Sequence, residues 1–125
     1  MTVMASGDGF SDALLAVQGN ATRSAIKGLQ LHTGNPGVGG AANKSSAPMQ
    51  TPVWTVVDAA GGFDLAAPVQ FSGGTPNGLA PYVSAWSDTS GSGTWYGNFP
   101  LTGDLTFDSN GQLTLETFTV TGAAA

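Results

Sequence analysis

The stretch Phe63-Asp64-Leu65-Ala66-Ala67-Pro68-Val69-Gln70-Phe71 puts apolar side chains at every second position, with Asp64 and Gln70 on the opposite face. A period of two belongs to a strand buried on one side, because successive side chains leave opposite faces of the backbone. The same period extends outward. Upstream, Val53, Thr55 and Val57 alternate with Trp54 and Val56, and Ala25 to Leu31 reads as an earlier strand. Downstream, Pro81 to Trp86, Thr94 to Phe99, Leu105 to Phe107 and Gln112 to Thr121 read likewise. Tracts rich in glycine, serine and proline separate them at residues 33–40, 72–78 and 90–93. Asp108-Ser109-Asn110-Gly111 is expected to join the last two strands as a hairpin, because Asn-Gly tolerates positive φ. Strands of this length and spacing predict a mainly β protein, a single jelly-roll-like β-sandwich over residues 25–125.

Residues 1–24 follow a different pattern and are expected to form an N-terminal arm. Ser11 is an N-cap candidate, Asp12 an acid in the first turn, and Ala13 to Gln18 are mostly good helix formers before Gly19-Asn20. The spacing predicts one short helix. Phe10, Leu14, Leu15 and Val17 do not share one face, so such a helix needs a surface to dock on. Phe10, Leu14 and Leu15 are the candidate assembly contacts.

The chain has 125 residues, of which only eight are acidic and three basic, so 9% are charged. An ordinary soluble domain carries roughly 25%. Hydrophobic residues make up 41% and the net charge is −5, so the low-hydrophobicity, high-charge route to disorder does not apply. The length suits one domain. The absence of cysteine excludes disulfides and thiolate metal sites. With three basic residues, neither nucleic acid nor an anionic membrane is an expected partner, since both are bound through a cationic face. No run approaches the ~18 apolar residues of a membrane span. The N-terminus lacks the basic-then-apolar pattern of a secretory signal, so release by lysis is expected.

Side chains capable of chemistry are sparse and scattered. Gly37-Val38-Gly39-Gly40-Ala41-Ala42 can be aligned with a dinucleotide-binding pattern, and Lys44-Ser45 with a phosphate loop. Both fail: Asn43 rather than glycine precedes Lys44, and Pro48 and Pro52 follow where a helix is required. His32 is the single histidine and, at a strand end beside Thr33-Gly34, reads as a turn residue. No serine lies in a G-x-S-x-G elbow. Asp104, Asp108 and Asn110 match a calcium loop only in part, and turn chemistry is the expected role. Asp58, Asp64, Asp88 and Glu116 are too dispersed to indicate a catalytic pair and read as solvated outward groups. Trp86, Trp95 and Tyr96 are candidate ligand-stacking aromatics. No enzymatic activity and no cofactor are expected.

The order of a short N-terminal helix, the segment from Gly28 to Gly37 with its Leu31-His32-Thr33-Gly34-Asn35-Pro36-Gly37 turn, and the loop at Ala42-Asn43 is distinctive. Val83-Ser84-Ala85-Trp86-Ser87-Asp88, Trp95-Tyr96-Gly97-Asn98 and Pro100-Leu101-Thr102 follow it. Over about residues 8 to 121 this resembles a family of small virion proteins of tailed bacteriophages, commonly labelled tail-fibre proteins. The chain departs from that pattern at Lys44, where the family often has an acid, and over Met49-Gln50-Thr51-Pro52. The resemblance implies a non-enzymatic structural component of the virion, assembled in the host cytoplasm. Its implied partners are copies of itself, as a homo-oligomer such as a trimer, and other virion proteins such as the major capsid or tail protein. A short chain without coiled coil or repeats suits a capsid decoration (cement) protein or a minor tail subunit better than an extended fibre. A receptor- or carbohydrate-binding module using the exposed aromatics is the alternative.

Overall fold

Ser11 caps a helix, α1 (Asp12–Ala25), in the computed structural model, which describes residues 11–121. The Ser11 hydroxyl accepts from the Leu14 amide, Asp12 lies in the first turn and Arg23 in the last, the favourable ends for each charge. The helix runs through Gly19-Asn20, where the sequence suggested a stop. Asn20 Nδ2 and Thr22 Oγ1 donate to the Ala16 and Gln18 carbonyls one turn back, and Gly19 packs flat against the backbone of Gly61. Tertiary contact overrides the local breaker. Only Leu15 and Gly19 of α1 are buried. The chain leaves through Ile26, which enters the core.

Among the described residues five strands follow: β1 (Gly28–His32), β2 (Val69–Phe71), β3 (Tyr82–Trp86), β4 (Trp95–Pro100) and β5 (Leu113–Leu115). They form two antiparallel sheets, one in the order β1-β3-β4 and one pairing β2 with β5. The described residues thus form a small β-rich fold with one helix. Leu29 and Leu31 of β1, Val83 and Ala85 of β3, and the apolar positions of β2 and β5 share a single core with Trp54, Phe63 and Phe107. Phe63, Trp54, Phe118 and Phe99 run through its edge as successive T-shaped pairs 5.1–5.4 Å apart.

The alternation over residues 63–71 separates inside from outside except at its middle: Phe63, Leu65, Val69 and Phe71 are buried and Gln70 is exposed, but Ala67, expected on the inner face, is exposed too. It is not one strand. Phe63 and Leu65 make single bridges to Val120 and Trp54, the chain bends at Ala66 and Ala67, and pairing resumes only after Pro68, which has no N–H to give a ladder. Residues 53–57 and 105–107 likewise make only isolated bridges.

The Asp108–Gly111 turn forms, with Asp108 N donating to Gln112 O and only Gly111 at positive φ (74°). Its flanks do not pair with each other. Thr106 bridges Leu79, while β5 pairs with β2. The expected two-stranded hairpin is therefore a corner between elements that pair elsewhere.

Candidate functional site

Both faces of the β1–β3 pair are covered. One carries the apolar core residues; the other carries Gln30, His32, Ser84 and Trp86, all buried. The cover for this second face is the loop from Thr33 to Gln50. Its return leg bridges the free edge of β1 at His32–Lys44 and Leu29–Gln50. Asn98 of β4 donates from Nδ2 to the Gly37 carbonyl (2.7 Å), tying the loop across the sheet. Asn43, at φ 56°, donates from Nδ2 to the Asn35 carbonyl and closes the loop on itself.

Beneath this loop His32, Ser84 and Trp86 form one bonded chain, and Gln30 is bonded separately. His32 has no solvent exposure. Its Nδ1 lies 2.8 Å from the Ala42 carbonyl oxygen, which can only accept, so Nδ1 carries the proton. Nε2 is then the acceptor, and Ser84 Oγ, 2.6 Å away, donates to it. The Ser84 oxygen in turn accepts the Trp86 indole N–H at 2.7 Å. Gln30 Nε2 donates to the Leu31 and Ala47 carbonyls, securing the far end of the loop. No buried side-chain nitrogen or oxygen among the described residues lacks a partner, as a buried polar layer requires. Burial pushes the His32 imidazole below its ordinary value, helped by the charge of Lys44 and opposed by the carbonyls of Ala42 and Asn43.

Serine donating to histidine, with the other ring nitrogen fixed by a third group, is the bonding order of an activated nucleophile. Access decides against that use. Ser84 is as fully buried as His32, and its oxygen already accepts from Trp86. A fluorophosphonate probe of serine hydrolases is therefore expected to leave Ser84 unmodified in the native protein; stoichiometric labelling measured by mass spectrometry would show an open site. His32 is thus a core residue at a strand end rather than the turn residue its neighbours suggested. Neither Ser84 nor Gln30 stood out in the sequence. Their signal was polar residues at alternate positions of two strands, Gln30-x-His32 and Ser84-x-Trp86, which ordinarily marks a solvated face.

The stacking aromatics do not form a common platform. Trp86 is buried, with Lys44 Nζ 5.7 Å from its ring centroid and Gly40 against its edge. Trp95 is half-buried, in contact with Gly40, and donates its N–H to Asn98 Oδ1. Tyr96 alone is exposed. Of the assembly candidates, Leu15 is closed inside this chain, which removes it as a contact for neighbours, Leu14 is exposed, and Phe10 lies outside the described residues.

Asp58, Asp64, Asp88, Asp104 and Asp108 serve the backbone, whereas Glu116 is exposed. Asp58 Oδ1 accepts from Ala60 N and Gly62 N, Asp104 Oδ1 from Thr106 N and Oγ1, and Asp108 Oδ1 from Asn110 N and Gln112 N. Asp88 binds Ser90 in the same way. Asp64 is more than an outward solvated group. It accepts from Thr119 Oγ1, Phe118 N and Leu65 N, bonds that hold its carboxyl below the usual range and tie residues 63–65 to 118–120. These are Asx-type turns and strand ties. Among the described residues no three His, Asp or Glu side chains converge as a metal site would require, and Asp104, Asp108 and Asn110 are placed by turn bonding. No helix of the described residues is long and apolar enough to cross a membrane.

Compared with known proteins, the chain matches no family model, no curated protein and no solved structure.

Proposed function

We propose that this chain is a non-enzymatic structural protein of a bacteriophage virion, a capsid decoration protein or minor tail component that assembles on the particle with copies of itself. The observation that carries the reading is the surface. Val38, Val53, Val56 and Leu79 are well exposed, Val38 at 97%, on a chain where only 9% of residues are charged. Such a surface can be covered by neighbours without stranding a buried ion. The paired sheets sharing one core are compatible with the sandwich such a subunit would use.

The carbohydrate-binding alternative has less support, because Trp86 and Trp95 are engaged by the loop and only Tyr96 is presented. Imaging the intact particle tests the proposal: ordered, symmetric copies on the shell or tail are expected. Absence of the chain from purified particles by mass spectrometry would overturn it, and density confined to the tail tip would defeat the decoration assignment.

A further inference from the structure

β4 and β5 are both edge strands. Each pairs with one neighbour, and among the described residues neither has a strand on its second edge. Both border one groove of about 810 Å³, lined by residues 99–106 and 112–119 together with Asp108 but not Phe107. Open strand edges offer unpaired backbone N–H and C=O groups to any extended segment that reaches them. The lining contributes three carboxylates, Asp104, Asp108 and Glu116, and no lysine, arginine or histidine. Its remaining polar groups are mostly threonines, which suit a strand surface and can be covered without burying charge.

We propose that this groove receives an extended, lysine- or arginine-bearing segment of another polypeptide, which adds as a strand along the open edges while its cations face Asp104, Asp108 and Glu116. Backbone pairing supplies the affinity, and the carboxylates select sign and register. Thr106 holds the Asp104 carboxyl below the usual range through its hydroxyl and amide, so Asp104 remains an anion through mildly acid solution. The groove and its occupant do not depend on where the chain is assembled, so this inference stands apart from the virion proposal.

The test uses the full-length protein and three eight-residue peptides. One alternates lysine with valine, one replaces each lysine by glutamate, and one is the lysine peptide N-methylated at alternate backbone amides. The lysine peptide should bind at least ten-fold more tightly than either control by calorimetry, with amide shifts centred on residues 113–117 and 98–101. Glu116→Gln alone should weaken it several-fold, and Glu116→Gln with Asp104→Asn ten-fold or more. Both positions are exposed, and the amide introduced by Asp104→Asn keeps an acceptor oxygen for Thr106, so the melting temperature should hold. No binding at 1 mM, equal binding of all three peptides, or shifts elsewhere would overturn the proposal. So would a dimer, seen in sedimentation, that shields the groove and is not displaced by the lysine peptide.

Discussion

Gly61→Ala is expected to destabilise the protein by about 4 kcal/mol, with α1 the first element to detach. Two costs combine. Gly61 has φ +86°, a conformation that costs a side-chain-bearing residue ~1–2 kcal/mol. A methyl group there would also fall on the Leu15 carbonyl, and a backbone obstacle cannot rotate away, so the ~1–3 kcal/mol of overpacking applies at its upper end. Gly19 faces Gly61 from the helix, where an added methyl would fall on the Gly61 carbonyl. Gly103→Ala is the control, since Gly103 has φ +91° but nothing within 4 Å of an added methyl, and should cost only the conformational part. Urea melts followed by circular dichroism compare the two. Equal losses would mean that the helix does not dock through this glycine pair.

The second large effect is expected for His32→Phe, about 3 kcal/mol. The ring volume is roughly preserved, but the Ala42 carbonyl and the Ser84 hydroxyl each lose a buried partner, at ~1–3 kcal/mol apiece. The local signature is opening of the loop: amides of residues 42–47 should exchange with deuterium at least ten-fold faster, and Trp86 emission should shift to the red as its cover loosens. Ser84→Ala should be non-additive with His32→Phe, because one change already breaks the bond that the other removes. A His32→Phe protein within 0.5 kcal/mol of wild type, with unchanged exchange, would show that the loop is held by other contacts.

These two sites show how far the residues could be read directly. The alternation of Phe63, Leu65, Val69 and Phe71 with Gln70 divides core from solvent, failing only at the exposed Ala67 where the chain bends, and β3 (Tyr82–Trp86) and β4 (Trp95–Pro100) lie where strands were expected. Periodicity reports burial of a face, and it does so wherever the chain is extended, whether or not the backbone completes a ladder. Residues 53–57 and 105–107 therefore looked like strands although they form single bridges. Pairing was not legible because it links residues far apart in sequence: Phe71 with Leu113, Gly28 with Trp86, Phe63 with Val120.

The same limit hid the polar layer. Gln30, His32 and Ser84 sit at the alternate positions that normally face water, and only a loop folding back across them reverses that meaning. Glycine readings failed at one place for a related reason. Gly19 looks like a helix stop locally, and its role is set by Gly61, more than forty residues away in sequence.

Central to the polar layer is His32 as a neutral, closed clasp rather than an accessible base. A nitrogen-15 NMR titration of the imidazole between pH 8 and pH 4 tests this directly. The expected spectrum has the proton on Nδ1 and a midpoint below the ordinary 6.5, since burial disfavours the cation. Below pH 6.5 the unfolded chain takes up a proton that the folded chain resists. The stability His32 contributes is therefore complete above that value and is lost progressively as pH falls toward the folded midpoint. Urea midpoints over the same range should decline in step. A proton found on Nε2, or a midpoint at or above 6.5, would contradict the clasp and reopen His32 and Ser84 to a chemical role.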